Sequence, residues 1–280
     1  MQNFYVTKAD GTSEIFREEK LIRSLVNSGA EKEVAQKIAS EVIEVSVSGV
    51  TTSQIYKTAF RELRKKNRPT AARYSLRRAL FDLGPTGFPF EDFVGALFKK
   101  MGYKVKLRQI VPGKCVSHEL DVVAKNDKEC VAIEVKFHNS IGFKTNVKTA
   151  LYVRARMDDI FARHIEERSH CPVNTPLLLT NTKFTKNAIE YAECVGLNMI
   201  GWRHPEGGSL LELITKHKIF PITALTTLSG SQKRSLIARG IILCEDLKKN
   251  KEAILSLGLS KVHIKEVLQE AEGLGTIEQK

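Results

Sequence analysis

The sequence predicts a multidomain α/β protein, and three observations favour this class. Residues 1–84 begin with two short alternating segments and continue with apolar residues at helical spacing. Residues 85–220 alternate strands with helices, which indicates an α/β sandwich built on a mixed sheet. Residues 221–280 contain helical patterns separated by short Gly or Ser turns. We therefore expect three domains with these boundaries, the last of them small and all-α.

Composition narrows the function classes. The 280 residues include 44 Lys and Arg against 32 Asp and Glu, and this formal net charge of +12 favours an anionic partner such as nucleic acid. No apolar stretch approaches the ~18 residues of a membrane span, so we expect no membrane association. The N-terminus lacks the features of a secretory signal, which predicts a cytoplasmic protein. The five cysteines form no CxxC pair, which excludes a zinc ribbon and argues against disulfides.

The first region predicts a β-hairpin followed by four helices. FYVTK alternates, positions 9–11 form an Asp-Gly turn, and a second strand follows around positions 14–16. Two helical stripes come next: Leu21, Ile22, Leu25 and Val26, then Val34, Ile38, Val42 and Val45. Thr51 or Thr52 can cap a third helix, and Pro69 suits the first turn of a fourth.

This region resembles the ATP-cone, the nucleotide-binding regulatory domain at the N-terminus of ribonucleotide reductases. The resemblance covers about residues 3–82 and rests on VTKADG, Glu14, Phe16, Lys20, Ala72, Tyr74 and Arg77. It implies binding of ATP or dATP. By motif position, the implied binding residues are Val6, Lys8, Glu14, Lys20, Thr52 and Arg77. The motif usually reads Lys-Arg-Asp-Gly, and Ala9 replaces the Arg here, so the alternative is a domain that mediates oligomerisation only.

The middle region begins with a helix and continues with strands. The helix has an apolar stripe of Phe88, Phe90, Phe93, Val94, Leu97 and Phe98, and Gly102 ends it. The strand YKVKLRQIV and a Pro112-Gly113 turn follow. Further along, a long helical pattern runs to about Arg168, and the strand TPLLLT, a helix over 185–195 and the strand LNMIGW complete the region.

One predicted hairpin, within HELDVVAKNDKECVAIEVKFH, carries a polar cluster. A turn centred between positions 127 and 128 pairs residues whose numbers sum to 255. Asp121 then lies opposite Glu134, and Glu119 lies opposite Lys136, on one face of the sheet. Four apolar residues share the opposite, core face: Leu120, Val122, Ile133 and Val135.

The polar cluster predicts phosphodiester hydrolysis. Two opposed carboxylates repel each other unless a cation lies between them. Mg²⁺ suits Asp121 and Glu134, because it binds a few carboxylate oxygens and keeps positions for a phosphate oxygen and a water. Lys136 lies on the same face, where it can orient that water or stabilise charge developing at phosphorus.

These residues resemble the PD-(D/E)XK nuclease superfamily, and most closely its Mrr-type restriction endonucleases, over about residues 86–202. The helix that carries Glu91, the MGYKV run, the Asp121 strand and the E-x-K strand occur in the family order. The resemblance implies catalytic roles for Asp121, Glu134 and Lys136, with Asp121 and Glu134 as metal ligands. It also offers Glu91 as a further ligand through water, although Glu91 is equally an ordinary acid at a helix N-terminus.

Several alternatives remain for the hairpin. Glu119 and Lys136 could merely form a salt bridge, or the fold could bind DNA without cutting it. Mrr-type members usually carry a Gly-rich segment before the Asp and often Gln at the position of Glu134, so this chain moves toward the wider superfamily, which includes junction resolvases. His118 and His138 are expected to be ordinary surface or core histidines rather than ligands or a general base.

Basic residues beyond the hairpin predict contacts to DNA. Lys144 and Lys148, with Arg154 and Arg156 around Tyr152, could neutralise backbone phosphates along the long helix. Apolar residues on the same helix equally fit packing against the sheet.

The last region resembles tandem helix-hairpin-helix DNA-binding modules. Positions 229–233 match the first hairpin and positions 258–261 match the second. The resemblance implies phosphate contacts by Ser231, Lys233 and Lys261. The usual apolar-Gly-apolar-Gly turn is incomplete, and the region has only 9 basic against 7 acidic residues, so protein–protein interaction is the alternative.

Taken together, these features predict a Mg²⁺-dependent DNA endonuclease with ATP or dATP as an effector. ATP is not expected to be a fuel, because the chain has no G-x-x-x-x-G-K-[ST] loop. The domain order suggests that the nucleotide shifts a homo-oligomer equilibrium and so gates two nuclease sites. The alternative is a nucleotide-responsive DNA-binding regulator with an inactive nuclease fold. The sequence does not distinguish a junction resolvase from a modification-dependent restriction enzyme.

Overall fold

The computed structural model describes residues 4–9, 11–46, 48–140, 142–166 and 173–275, and the chain divides into two compact units. One unit combines residues 1–80 with residues 220–280, and the other contains residues 81–219. The predicted multidomain α/β class is confirmed. Asp10 of the predicted turn, the predicted helix end near Arg168 and the cysteine at position 171 lie outside the described residues.

The first unit begins with a hairpin and five helices. Strand β1 (Tyr5–Thr7) pairs antiparallel with β2 (Ser13–Ile15). The helices are α1 (Glu18–Val26), α2 (Lys32–Glu44), α3 (Thr52–Lys66), α4 (Arg68–Tyr74) and α5 (Leu76–Phe81). Most residues of the predicted stripes supply the core of this region, with Leu25, Ile38 and Val42 fully buried, whereas Val26 and Val45 are exposed.

Local chemistry sets the helix boundaries in this region. Thr51 caps α3 as predicted, and it forms a capping box with Gln54. The predicted fourth helix is divided into α4 and α5 at Ser75. The hydroxyl of Ser75 donates to the carbonyl of Ala72, a local bond that competes with helical hydrogen bonding.

The second unit is the predicted mixed sheet with helices packed on it. Its elements are α6 (Phe88–Lys100), β3 (Lys104–Pro112), β4 (Ser117–Lys125), β5 (Cys130–Lys136), β6 (Lys144–Thr145), α7 (Val147–Glu166), β7 (Thr175–Thr180), β8 (Lys183–Phe184), α8 (Lys186–Val195), β9 (Asn198–Ile200) and α9 (Leu210–Lys216). The five-stranded sheet has the order β3-β4-β5-β7-β9, antiparallel up to β5 and parallel beyond it. A separate short pair joins β6 and β8.

The predicted hairpin register is confirmed. Val122 lies opposite Ile133, and Lys125 lies opposite Cys130. The four residues predicted for the core face are buried, with Leu120, Val122 and Ile133 completely inaccessible. Helix α6 contacts β3, β4 and β5, and α7 contacts β3 and β7. Gly95 makes the close approach of α6 to β3 possible, because a Cβ there would lie 2.7 Å from a methyl group of Leu107.

The last helices complete the first unit. They are α10 (Gly230–Ala238), α11 (Lys251–Leu255) and α12 (Lys261–Gly275), with 3₁₀ turns at Ile222–Ala224 and Cys244–Lys248. Helix α12 packs against α4, and Arg68 pairs with Glu266 at 3.0 Å. The hydroxyl of Thr223 donates to the carbonyl of Ala79 at 2.6 Å. The first and last predicted regions therefore pack together in one unit. Among the described residues, every helix is too short or too polar to cross a bilayer.

Candidate functional site

Strands β4 and β5 carry the predicted acids at the point where their backbone pairing ends. The register of the ladder runs from Lys125 and Cys130 to Val122 and Ile133. At the next position, Oδ2 of Asp121 accepts a hydrogen bond from the amide of Val135 at 2.7 Å. A side-chain hydrogen bond thus replaces backbone pairing at the position where the register places Asp121 opposite Glu134. The two acids therefore lie toward the open end of the hairpin.

The electrostatics of this pair favour a bound cation. Burial raises the pKa of Asp121 above its usual range, although the hydrogen bond from Val135 and the charges of Arg156 and Lys136 oppose the shift. Burial, helped by the charge of Asp121, raises the pKa of Glu134 to about 7. Two partly buried carboxylates that disfavour each other's ionisation would be relieved by a divalent cation between them.

Glu91 lies close to the pair, in the first turn of α6. Its carboxylate accepts a hydrogen bond from Arg108 at 2.9 Å. Burial raises the pKa of Glu91, and the negative charge of Asp121 contributes to the shift. The structure therefore brings Glu91 within electrostatic range of Asp121.

Arg108 is a residue of this cluster that the sequence pattern did not reveal. Its backbone is left-handed, with a φ of 51°, and its neighbours Leu107 and Gln109 pair with residues on either side of Asp121. The guanidinium donates to Glu91 and, at 2.8 Å, to Asp92. The sequence of the strand KVKLRQIV does not predict that Arg108 contacts Glu91, because the contact depends on how α6 packs on β3.

Arg156 is a second residue of this cluster whose contacts the sequence pattern did not reveal. It was expected among the residues that face DNA, but only 9% of it is exposed. One guanidinium nitrogen donates to Oε2 of Glu134, and the other donates to the main-chain carbonyl of Glu119. A buried pair was not predictable from helical periodicity alone, since Arg156 belongs to a helix whose other arginines lie partly at the surface.

Lys136 is exposed at the end of β5. Its positive charge lowers the pKa of Asp121 and Glu134 against the effect of burial, which places the ammonium near both carboxylates. Within the described parts of the chain, Glu119 and Lys136 form no ion pair, so the alternative in which these two residues merely form a salt bridge is not observed there.

The donor set fits one hard cation. No group of three or more His, Cys, Asp or Glu side chains with metal-site geometry occurs in the described residues. Mg²⁺ is commonly held by one or two carboxylates and completed by water and substrate oxygens, and Asp121 with Glu134 supplies such a pair. The role of Glu91 as a ligand through water stays a prediction.

The two histidines make structural contacts. Nε2 of His118 lies 2.8 Å from the carboxylate of Asp159, which also accepts the amide of Cys115 at 2.8 Å. These bonds, led by that of His118, hold the pKa of Asp159 well below its usual range. Gly113 is required beside them, because a Cβ there would lie 2.1 Å from Asp159. Nε2 of His138 lies 2.9 Å from the hydroxyl of Thr145.

The basic residues beyond the hairpin differ in their surroundings. Lys144 in β6 and Lys148 in the first turn of α7 are exposed, and Lys144 lies beside Lys183 of β8. The guanidinium of Arg154 makes contacts within the protein: it pairs with Asp158 at 2.6 Å and donates to the carbonyl of Val195 at 2.8 Å.

Five of the six predicted nucleotide-binding residues lie on the hairpin of the first unit or on the helices next to it. Glu14 pairs with Lys8 at 2.9 Å and with Lys20 at 3.3 Å. Val6, directly opposite Glu14, is buried, and Thr52 is exposed at the first residue of α3. The start of α3 lies beside β1, because residue 51 forms a bridge with residue 7. Arg77 lies half-buried on α5.

The three residues of the last region that are predicted to bind DNA differ in exposure and in hydrogen bonding. Ser231 is exposed, with its hydroxyl 3.0 Å from that of Ser229, which caps α10. The ammonium of Lys233 donates to the carbonyl of Thr223 at 2.9 Å, so it is already used inside the fold. Lys261 is exposed at the start of α12.

A basic cleft lies between the end of α10 and α11. It encloses about 660 Å³. Its lining residues are Arg239, Ile241, Lys248, Lys249, Asn250, Lys251, Glu252, Ala253 and Ser256. Four of these side chains are cationic and one is acidic, and none of the described lining residues is an aromatic on which a base could stack.

Comparison with known proteins divides the chain into three matched regions. Residues 4–82 match the family model of the ATP cone domain, and residues 85–206 match that of a restriction endonuclease. Residues 220–274 match the model described as AF1548-like, C-terminal.

One relative and one solved structure are each matched over nearly their whole length. An uncharacterized protein of Archaeoglobus fulgidus is 35% identical over 177 residues, which cover 63% of this chain and 96% of that protein. This chain belongs to the AF1548-like family. A crystal structure titled as a protein of unknown function, AF1548, is 34% identical, with a TM-score of 0.54, and the match covers 67% of this chain and 97% of that one.

The AF1548-like chain thus joins an ATP cone domain, a restriction-endonuclease-like domain and an AF1548-like C-terminal domain, which matches the fused architecture predicted from the sequence. The helix-hairpin-helix character of the last region stays a prediction, because the family model that matches there is the AF1548-like one. Asp121, Glu134 and Lys136 all fall within the restriction-endonuclease match. The Lys8, Glu14 and Lys20 cluster falls within the ATP cone match.

Proposed function

We propose that this AF1548-like chain is a Mg²⁺-dependent DNA endonuclease that acts in the cytoplasm and is regulated by ATP or dATP. The observation that carries the proposal is the pair of partly buried carboxylates, Asp121 and Glu134, with Lys136 two residues further along the same strand. Glu91 supports this pair from α6. A protein that only bound DNA would have no need of two opposed acids at this position.

The chain's own residues account for the chemistry as follows. Asp121 and Glu134 would hold the cation, while Arg156 bonds Glu134 and Arg108 bonds Glu91. Bound there, Mg²⁺ would supply a Lewis acid for a phosphate oxygen and a more acidic water. Lys136 orients the attacking water or stabilises the negative charge that develops on the phosphate, since its exposed ammonium can reach substrate.

Cleavage assays on different DNA substrates test the proposal. Supercoiled plasmid, linear duplex and a four-way junction should be incubated with the full chain and Mg²⁺, with and without ATP. We expect cleavage that EDTA abolishes, and the preferred substrate separates a restriction enzyme from a junction resolvase. Absence of cleavage with Mg²⁺ or Mn²⁺, with and without nucleotide, would contradict the enzyme.

The nucleotide is proposed to act at the cluster formed by Lys8, Glu14 and Lys20, with Val6, Thr52 and Arg77 around it. Glu14 pairs with both lysines and balances one of their two positive charges. Phosphates would compete with Glu14 for the same ammonium groups. We propose that this exchange shifts a homo-oligomer equilibrium and so couples two nuclease sites.

Replacing Lys8 by alanine is expected to weaken ATP binding about tenfold, or ~1.4 kcal/mol, because one phosphate contact is lost. Isothermal titration of the full chain with ATP measures the effect. Lys37→Ala is the matched control, since Lys37 is an exposed lysine on α2. Equal affinities for the two variants would place the nucleotide elsewhere.

A second candidate is a nucleotide-responsive DNA-binding regulator with an inactive nuclease fold. The observation that favours it is the contact between Arg156 and Glu134, because the guanidinium already neutralises one of the acids. A full chain that binds DNA tightly but cuts none of the substrates above would support this candidate.

DNA is proposed to contact Lys144, Lys148, Ser231 and Lys261, and also the basic cleft of the last region. Lys233 is a weaker candidate, since it donates to Thr223 inside the fold. The cleft suits backbone phosphates rather than a nucleotide, because its charges are not accompanied by an aromatic surface.

The salt dependence of DNA binding distinguishes these surfaces. Lys249→Gln combined with Lys251→Gln should weaken duplex binding and reduce the slope of log affinity against log salt by about 2, since each phosphate contact contributes ~0.9. Lys265→Gln, an exposed lysine of α12, is the control. Fluorescence anisotropy at several salt concentrations gives the slope. An unchanged slope in the double variant would remove the cleft from the DNA-binding surface.

A further inference from the structure

The separation between β4 and β5 is set by side chains at the candidate active site. Backbone pairing reaches Val122 and Ile133, and the acids lie just beyond that pair. There the carboxylate of Asp121 accepts the amide of Val135. Arg156 makes the other contact that joins the two strands at this point.

Arg156 links these strands from outside the sheet. It comes from α7, and its guanidinium contacts the main-chain carbonyl of Glu119 in β4 and the side chain of Glu134 in β5. The ring of Tyr152, one helical turn earlier, lies 5.3 Å from the same guanidinium. Since only 9% of Arg156 is exposed, its position is fixed on several sides.

The form of the guanidinium explains why an arginine occupies this place. Its planar fork can donate in two directions at once, whereas an ammonium group is a single point charge. The bond to Glu134 uses Oε2, and a carboxylate can still bind a cation through its second oxygen. A buried acid bonded in this way keeps one orientation, and metal sites depend on such support of their ligands.

We infer that Arg156 is a positioning residue that sets the spacing of β4 and β5 and the orientation of Glu134, so that Asp121 and Glu134 share one divalent cation. This inference rests on the proposed nuclease function and names the residue that supports its metal site. The opposite role, in which Arg156 competes with the cation for Glu134, gives the opposite experimental result.

Titration with Mn²⁺ in the absence of DNA tests the inference on the full chain. Arg156→Met removes the charge and the fork, and Arg156→Lys keeps the charge alone. We expect Mn²⁺ affinity to fall about 10- to 100-fold in Arg156→Met, with an intermediate loss in Arg156→Lys. Arg154→Met is the matched control, because Arg154 lies on the same helix and also bonds a carboxylate and a carbonyl. Its Mn²⁺ affinity should equal that of the wild type.

Urea unfolding in EDTA separates positioning from folding. A lower stability of Arg156→Met with unchanged Mn²⁺ affinity would overturn the inference, and so would tighter binding, which would mean competition. If Arg156→Met does not fold, Arg156→Lys carries the test alone, and wild-type affinity in that variant overturns the inference. Absence of Mn²⁺ binding by the wild type would overturn the proposed function as well. A wild type that binds Mn²⁺, with variants that bind it equally well, would overturn only the role of Arg156, so the two failures are distinguishable.

Discussion

Replacing Asp121 by asparagine is expected to lower the rate of Mg²⁺-dependent DNA cleavage by at least about 10²- to 10³-fold, the scale of losing one charge-stabilising group in an active site. Asparagine has the same shape, and its side-chain oxygen can still accept the amide hydrogen bond from Val135. The substitution therefore removes the negative charge that holds the cation without removing the contact that joins β4 to β5. Nicking of supercoiled plasmid at saturating Mg²⁺ measures the effect.

The control for this prediction comes from the same hairpin. Asp127→Asn changes an exposed acid in the turn between β4 and β5 and removes the same charge from the chain. It should cut at the wild-type rate. Cleavage by Asp121→Asn at that rate would place the catalytic site away from β4 and β5.

The second large effect concerns pH. Burial and the charge of Asp121 raise the pKa of Glu134 to about 7, and Glu134 must be ionised to bind a cation. Below this pKa the proton competes with the metal, so Mn²⁺ affinity is expected to fall by about 50-fold between pH 7 and pH 5, approaching about tenfold per pH unit at the acidic end. Calorimetric titrations between pH 5 and pH 8.5 measure the profile.

A fall in pH is expected to stabilise the fold through Glu134, although the same fall weakens metal binding. Because the pKa of Glu134 is higher in the folded than in the unfolded chain, the folded state binds more protons between the two values. The stabilising contribution of protonated Glu134 is complete below the unfolded pKa near 4.5 and is lost as pH rises through about 7. In EDTA, the stability of Glu134→Gln should lack this pH-dependent loss. In a separate titration without EDTA, the weak Mn²⁺ binding of this variant should not vary with pH through residue 134. A wild-type metal affinity that is constant from pH 5 to pH 8 would contradict the role of Glu134.

Much of the fold was predictable because its signals are local. The turn centred between positions 127 and 128 fixes the register of β4 and β5, and a period of two then decides which residues share a face. Thr51 starts α3 and Gly102 follows the end of α6, since caps are set by residues next to the helix. The break at Ser75 and the short helix α9 were not predicted, because their periodic segments are too short to be distinctive.

The residues of the candidate site likewise divide into those that the sequence pattern revealed and those that it did not. The order of Glu91, Asp121, Glu134 and Lys136 along the chain is a property of the sequence, and it suffices to predict the family and the chemistry. Their roles stay predictions, to be tested by the variants above. Arg108 and Lys233 were outside the reach of local patterns, because each contacts residues through the packing of separate elements.

By itself, the sequence predicted the class of the fold, the first two domain families and the hairpin register, and it supplied the acids and the lysine of the candidate site, whose roles stay predictions. Only the tertiary structure decided that Arg156 is buried against Glu134, that Arg108 holds Glu91, and that the first and last regions pack as one unit. The physical reason is distance along the chain. Arg156 and Glu134 are 22 residues apart and meet only because α7 packs on the sheet, and no local preference of either residue encodes that contact.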